Sequence, residues 1–213
     1  HFHTIKEAHL VGVYDIDKNR SEKISNLYGI QNFDNIDTLL NKVNAVSVVT
    51  PTSEHKSVAL KCIENRKHVF IEKPITSTVS DADDLIALAR KQNTIIQVGH
   101  IERLNPALLP LKDYDINPRF IEIQRLAPYM ERGSDVPVVL DLMIHDIDLV
   151  LTFVSSAIKD IKATGISIMT NSVDIANARI RFENGCVANL TSSRVAKDRV
   201  RKMKLFQQDL YIT

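Results

Sequence analysis

The pattern that decides the fold lies in AVSVVTPTSEHKSVALKCIENRKHVFIEKP, residues 45–74. This segment opens with the apolar run 45–50 and closes with the apolar run 68–72, and both runs are rich in β-branched side chains. The stretch near 53–65 has the mixed polar and apolar character of an amphipathic helix. A strand, a helix and a second strand in this order are typical of a βαβ unit with parallel strands.

The same alternation continues on both sides of this segment. Apolar runs at 10–14 and 94–99 add two further strands. Amphipathic stretches near 18–28, 35–41 and 78–92 add three further helices. We therefore predict a doubly wound parallel sheet in the first half of the chain.

After Pro118 the pattern changes to longer runs of alternating character, which are typical of antiparallel strands. One helix, from about 138 to 153, interrupts these runs. The turn-like triplet Glu183-Asn184-Gly185 separates two of them and predicts a hairpin. The runs lie at 119–127, 161–170, 174–182, 186–194 and 202–213.

Composition argues against several classes of partner. The 213 residues are 44% hydrophobic and 25% charged with a net charge of +1, so neither a membrane span nor the basic surplus of a nucleic-acid binder is present. Cys62 and Cys186 lie far apart, so we expect no disulfide framework, no metal site and a reducing, cytoplasmic environment. Because the sequence begins at His1 and ends at Thr213 within a predicted strand, we expect a fragment.

Polar residues follow three of the predicted strands, at the edge where parallel sheets bind ligands. Asp15 ends the first apolar run and can hydrogen-bond the ribose of an adenosine dinucleotide. The segment TPTSEH at 50–55 starts a helix with Ser53 as a candidate N-cap. Lys73, in the tripeptide EKP at 72–74, can donate a hydrogen bond to a reacting oxygen. Taken one at a time, each has an ordinary alternative, namely a strand-to-helix turn or a solvated ion pair.

The segment VVLDLMIHDIDLVL, residues 138–151, carries a more specific signal. Asp141 and His145 lie four residues apart, on one face of the predicted helix, among largely apolar neighbours. A carboxylate one turn from an imidazole can fix its tautomer and raise its basicity, which suits a general base that takes a proton from an alcohol. The alternative is a polar cluster that caps the helix and satisfies the core.

Another polar segment, GHIERLNP at 99–106, also follows a strand. Arg103 and Asn105 can present donors to a phosphate or to sugar hydroxyls. A surface turn with an Arg–Glu pair explains the same residues, and local physics does not separate the two interpretations.

Together these motifs resemble those of the glucose-fructose oxidoreductase and inositol dehydrogenase family, Gfo/Idh/MocA. The resemblance rests on Asp15, on TPTSEH at 50–55, on EKP at 72–74, and on the D-x-x-x-H pair of Asp141 and His145. Because these motifs span nearly the whole chain and occur in a fixed order, their combination is far more specific than any one of them.

The resemblance implies a fold and a set of roles. A Rossmann domain at 1–100 would precede a substrate-binding and oligomerisation α/β domain at 101–213, whose open sheet is mostly antiparallel. His145 would be the general base, Lys73 its electrostatic helper beside the nicotinamide, and Asp141 the third member of the set. The implied cofactor-binding residues are Asp15, Thr50, Pro51, Thr52, His55, Glu72, Lys73 and Pro74. The implied substrate-binding residues are Arg103, Asn105, Lys73 and His145, with Arg125 and Tyr129 as further candidates.

The implied activity is hydride transfer between NAD(P) and a secondary hydroxyl of a sugar or sugar nucleotide. Segments 97–107 and 138–151 are similar to the branch that oxidises the 3-hydroxyl of UDP-N-acetylglucosamine. An inositol or simple-sugar dehydrogenase of the same family is the alternative. A non-catalytic dinucleotide sensor or interaction protein is the alternative of another class, and the presence of Lys73, Asp141 and His145 argues against it.

The expected cofactor is NAD rather than NADP, because the charge of Asp15 would repel a 2′-phosphate. The expected partners are a small sugar or sugar nucleotide and further copies of the chain, in a dimer or tetramer. No G-x-G-x-x-G motif occurs, and we expect this phosphate-binding turn upstream of His1.

Overall fold

The computed structural model describes residues 2–130 and 136–213. These residues form two compact units. One comprises residues 2–49, His55–Ile71 and Val79–Gln97, and the other comprises Thr50–Glu54, Glu72–Thr78 and the described residues from Val98 onwards. Within the described residues, no helix combines the length and the apolar character that crossing a membrane requires.

The first unit begins with a parallel pair of short strands, β1 (Gly12–Val13) and β2 (Gln31–Asn32). Helix α1 (Lys18–Tyr28) joins them, and a short helix α2 (Ile36–Leu40) follows. The carboxylate of Asp17 accepts from two backbone N–H groups in the first turn of α1, which satisfies donors that a helix start leaves unpaired.

The βαβ pattern of the sequence belongs to a second parallel sheet, which has three strands. Strands β3 (Ala45–Val48) and β4 (His68–Ile71) pair in parallel, and helix α3 (Thr52–Glu64) joins them. Helix α4 (Val79–Gln92) leads to β5 (Ile96–Val98), which completes the sheet in the order β3-β4-β5. The buried side chains of these elements include Val48, Cys62, Ile63, Val69, Ile71 and Leu85.

The second unit is built on one six-stranded sheet. Its strands are β6 (Phe120–Leu126), β7 (Ile158–Ile166), β8 (Ile175–Phe182), β9 (Val187–Ser193), β10 (Val200–Gln207) and β11 (Leu210–Ile212). They lie in the order β11-β10-β6-β9-β8-β7, and all neighbours are antiparallel except β6 and β9. A wide π-helical turn (Val139–Met143) runs into helix α5 (Ile144–Phe153). Side chains from this turn and from α5 share one core with alternate residues of the sheet.

The predicted fold class is confirmed: a parallel Rossmann-like first part is followed by a mostly antiparallel sheet. The triplet Glu183-Asn184-Gly185 joins β8 to β9 as expected, with Gly185 at φ 87°. Other details of the prediction are wrong. The 161–170 run is a strand that begins earlier, at Ile158, and ends at Ile166, and α3 begins at Thr52, so Ser53 lies inside the helix rather than at its cap.

The 202–213 run and the 138–153 helix also differ from their predictions. The run is two strands, because the chain turns after Gln207 with Asp209 in the left-handed region at φ 59°. The helix is α-helical only from Ile144, since the preceding turn at Val139–Met143 is wider. Wide turns of this kind are frequent at functional sites.

Candidate active site

Lys73 lies in the turn that follows β4 and contacts Asp141 in the same unit. Its Nζ donates to the Asp141 Oδ1 at 3.1 Å and to the Asp141 carbonyl oxygen at 2.8 Å. Both side chains are partly buried. Because an ammonium group has three donors, this double contact fixes Lys73 and leaves one donor for a further acceptor.

His145 lies in the first turn of α5. Among the described residues, none accepts from or donates to its buried Nδ1. The pKa of His145 falls to about 4, first because burial disfavours the charged ring and then because Lys73 and Arg125 are positively charged. The ring is therefore neutral near pH 7, and a neutral imidazole has one nitrogen that can accept a proton.

This geometry corrects the predicted partnership of Asp141 with His145. The Asp141 carboxylate accepts from Lys73, and the pKa of His145 is lowered rather than raised. The physical reason is that the carboxylate is already paired with an ammonium group, so it adds little negative potential to offset the loss of water around the ring.

A buried ion pair lies next to His145. Arg125 on β6 donates from Nη2 to the Asp146 carboxylate at 2.6 Å and from Nε at 2.9 and 3.0 Å. Burial raises the pKa of Asp146, and Arg125 opposes that rise. The same guanidinium donates from Nη1 to Glu102 at 3.4 Å. Arg125, considered from the sequence as a ligand contact, is thus buried and engaged by two carboxylates.

Glu102 connects this ion pair to β10. Its Oε1 accepts from Arg125 and also from Arg201 Nη1 at 3.2 Å, while its Oε2 accepts from Asn105 Nδ2 at 3.2 Å. Burial pushes the pKa of Glu102 upward, but its donors and nearby cations outweigh burial and lower it. Asn105, a predicted substrate contact, is engaged here, and its Oδ1 accepts from the backbone N–H of Ala107.

A second carboxylate of α5, Asp148, is buried and holds Arg103. Arg103 Nε donates to Asp148 Oδ2 at 2.7 Å, and Nη2 donates to Oδ1 at 2.5 Å. The buried Nδ1 of His100 lies 3.8 Å from the same Oδ1. Arg103 is therefore placed by a two-point contact and keeps its Nη1 edge for another partner. Tyr129, the other candidate contact, is 38% exposed just beyond the end of β6.

The first unit carries Asp15, two residues after β1. Its Oδ1 accepts from the backbone N–H of Asp17 at 2.9 Å, and its Oδ2 lies 3.9 Å from Arg20. A recess of about 140 Å³ opens beside it. Its lining residues include Tyr14, Asp15, Ile16, Asn32, Phe33 and Asp34. A fixed carboxylate at the rim of a recess is chemically suited to the two hydroxyls of a ribose.

The other predicted cofactor residues lie at the start of α3 and around the turn after β4. Thr50 and Pro51 are exposed, and Thr52 begins α3. His55 and Pro74 are buried, and Glu72 is partly buried. The Lys73–Pro74 peptide bond is cis.

Several members of the site were not assigned from the sequence. They are His100, Glu102, Asp146, Asp148 and Arg201. A signal for two of them was present, because carboxylates at 146 and 148 inside an apolar helix require buried cationic partners. Nothing local in the sequence indicates which arginines supply that charge.

A parallel-stranded first part followed by a mostly antiparallel sheet is the architecture of the NAD-binding oxidoreductases that the comparisons find. Residues 1–100 match the family described as "Oxidoreductase family, NAD-binding Rossmann fold". Residues 121–209 match the "GFO/IDH/MocA C-terminal domain". The chain belongs to the Gfo/Idh/MocA oxidoreductase family.

Two relatives illustrate the range of similarity. UDP-N-acetylglucosamine 3-dehydrogenase of Acidithiobacillus ferrooxidans is 39% identical over 99% of this chain and 68% of its own length. Its solved structure superposes with a TM-score of 0.89 over 96% of this chain and 68% of that one. The scyllo-inositol 2-dehydrogenase (NAD(+)) of Bacillus subtilis is 27% identical over 91% of this chain, which matches only 62% of that relative's length.

Proposed function

We propose that this chain is the catalytic part of an NAD-dependent dehydrogenase that oxidises the 3-hydroxyl of UDP-N-acetylglucosamine. The observation that carries the proposal is that Lys73, an ammonium group fixed by Asp141, lies near enough to the neutral imidazole of His145 to lower its pKa. The 39% identity with an enzyme named for this reaction supports the choice of substrate.

Each residue has one task in the proposed reaction. His145 takes the proton of the substrate hydroxyl, which its neutral state permits near pH 7. The free donor of Lys73 hydrogen-bonds the same oxygen and stabilises the negative charge that develops on it. Asp141 holds the ammonium through two contacts, so no reorganisation is needed as the charge develops. NAD, when bound, supplies the hydride acceptor.

We propose NAD rather than NADP as the cofactor, with Asp15 as the selecting residue. The Asp15 carboxylate is oriented by the backbone of Asp17 and suits a ribose diol, whereas it repels a 2′-phosphate. The proposed cofactor contacts also include Thr50, Pro51, Thr52, His55, Glu72 and Pro74. Asp15→Ala should reduce the preference for NAD over NADP, measured as the ratio of the two kcat/KM values.

We further propose that residues 1–100 act as the cofactor domain and 101–213 as the substrate domain. A homodimer or tetramer built on the open sheet is supported by exposed aromatic side chains at its edge, where the rings of Phe206 and Tyr211 lie 4.8 Å apart. Two buried, free cysteines, Cys62 and Cys186, support a reducing, cytoplasmic location.

The test is NAD reduction by the full-length protein, followed through NADH absorbance, with UDP-N-acetylglucosamine, UDP-glucose, myo-inositol and glucose as substrates. Reduction with UDP-N-acetylglucosamine alone is the expected result. Reduction with myo-inositol instead would favour an inositol dehydrogenase, and NAD binding without reduction of any substrate would favour a sensor.

Two variants test the assigned roles. Lys73→Met and His145→Ala should each lower kcat by roughly 100- to 10,000-fold, because acid–base groups contribute on that scale. The matched control is Lys61→Met, which removes another ion-paired lysine, held by Asp37 at 2.8 Å on the surface of the first unit. Activity near the wild-type level in both site variants would refute the mechanism.

A further inference from the structure

Two carboxylates near His145, those of Glu102 and Asp148, are largely buried, whereas two arginines that they hold are largely exposed. The side chains of Glu102 and Asp148 are 15% and 8% exposed, whereas those of Arg201 and Arg103 are 60% and 54% exposed. Arg201 and Arg103 therefore present cationic donors at the surface of the second unit.

Arg201 lies on the same face of the sheet as the proposed site. In the sheet register, Arg201 on β10 lies directly opposite Arg125 on β6. Residues that are directly opposite on neighbouring strands project to the same face of the sheet. Arg125 in turn binds Asp146, the residue after His145. The positive charge of Arg201 also contributes to the lowered pKa of His145, after burial and the nearer cations.

The guanidinium of Arg201 is held by one edge only. Its Nη1 donates to Glu102 Oε1 at 3.2 Å, and no described residue accepts from its Nε or Nη2. Glu102 is itself fixed by Arg125 and Asn105. A guanidinium that is anchored at one edge and exposed at the other is prepared for a two-point contact with phosphate oxygens.

We propose that Arg201, positioned by Glu102, binds the diphosphate of the sugar-nucleotide substrate. This inference rests on the proposed function and adds to it a residue that selects phosphorylated sugars over free polyols. An uncharged inositol or glucose offers nothing that needs a half-exposed cation at this position. Arg103, anchored by Asp148 through a two-point contact, is a second exposed cationic donor in this unit.

NAD also carries a diphosphate, so the source of the anion has to be distinguished. Arg201 lies on β10, whereas the match to the NAD-binding Rossmann family ends at residue 100. The substrate is therefore the favoured source. An effect of Arg201 on the binding of NAD, with none on the binding of the sugar nucleotide, would overturn this assignment.

The experiment compares wild type, Arg201→Met and Arg201→Lys of the full-length protein. For Arg201→Met we expect the KM for UDP-N-acetylglucosamine to rise roughly 10- to 100-fold, the scale of a lost charged hydrogen bond, with kcat and the KM for NAD changed less than about threefold. Arg201→Lys should recover part of this loss, because it keeps the charge without the planar fork.

The matched control is Arg181→Met. Arg181 is also an ion-paired, partly exposed arginine of the same sheet, but it lies on β8 among the residues that face away from the core and pairs with Asp160. Its KM values should equal those of wild type.

Binding of UDP, measured by calorimetry without turnover, gives a readout that is independent of catalysis. UDP should bind wild type and Arg181→Met equally and Arg201→Met more weakly. If Arg201→Met does not fold, Arg201→Lys provides the test, because it should bind UDP more weakly than wild type, although with a smaller loss of affinity. Wild-type protein that binds neither UDP nor UDP-N-acetylglucosamine refutes the proposed substrate. Wild-type and Arg201 variants that bind UDP equally refute this inference alone.

Discussion

Replacing Arg125 by methionine should destabilise the second unit strongly, because it leaves a buried carboxylate without its counter-ion. The side chains of Arg125 and Asp146 are only 8% and 2% exposed, and three hydrogen bonds of 2.6 to 3.0 Å join them. Breaking a buried ion pair from one side typically costs about 3–5 kcal/mol. We expect Arg125→Met to lower the free energy of unfolding by that amount near pH 7.

The cost should depend on pH in a definite direction. Burial already raises the pKa of Asp146, and replacing Arg125 removes the main influence that opposes this rise. The folded variant then binds a proton that the unfolded chain has released, so its stability increases as the pH falls from neutral towards 5. The deficit relative to wild type should therefore be largest above pH 7 and smaller near pH 5.

Urea unfolding, followed by circular dichroism at pH 5 and pH 7.5, measures these differences. The double variant Arg125→Met/Asp146→Leu removes both charges and should be within about 2 kcal/mol of wild type, because apolar replacement of a buried pair is often neutral. The control Arg181→Met breaks an exposed pair and should cost at most about 1 kcal/mol. A cost below about 1 kcal/mol for Arg125→Met, or a double variant no better than the single one, would refute the reasoning.

Four smaller predictions concern single positions. Lys73→Met should raise the pKa of His145 above about 4, because a nearby positive charge is lost, and an NMR titration of the imidazole would detect this. An unchanged titration in Lys73→Met would contradict the geometry. In the wild type, the free energy of unfolding should decrease as the pH falls from about 6.5 to about 4, because the unfolded state takes up the His145 proton first. Gly12→Ala should cost about 1–3 kcal/mol in thermal or urea unfolding, because its Cβ would collide with the Gln31 carbonyl oxygen. Gly185→Ala should cost about 1 kcal/mol, as it forces a side chain into φ 87°, and an unchanged unfolding midpoint in either glycine variant would count against these contacts.

In both units, the elements that the sequence predicts best are those determined by local signals. The α1 helix begins directly after the Asp17 cap at the expected residue, and the run at 45–50 gave β3 to within two residues. The failure at 202–213 has a local cause as well. The turn between β10 and β11 contains neither glycine nor proline, and Asp209, which favours turns and tolerates the left-handed conformation, is the one weak signal for it.

The site divides in the same way. Lys73 and His145 were found because each stands in a short motif. The residues that set their environment were missed, because their contacts join positions far apart in sequence, 45 residues for Arg103 with Asp148 and 99 for Arg201 with Glu102. Pairs at such separations are fixed by strand order and register, and neither follows from periodicity.

The charged residues around His145 act on its pKa in opposite directions. Lys73 and Arg125 lower its pKa, while Glu102 raises it. Each of these charges is also a structural partner: Arg125 secures α5 to β6 through Asp146, and Glu102 secures β10 through Arg201. The pKa of the imidazole therefore depends on the balance between positive and negative charges that also stabilise the fold. Replacing Arg125 removes a positive charge near the ring and also breaks the contact between α5 and β6, so this residue couples the proton affinity of His145 to the position of its helix.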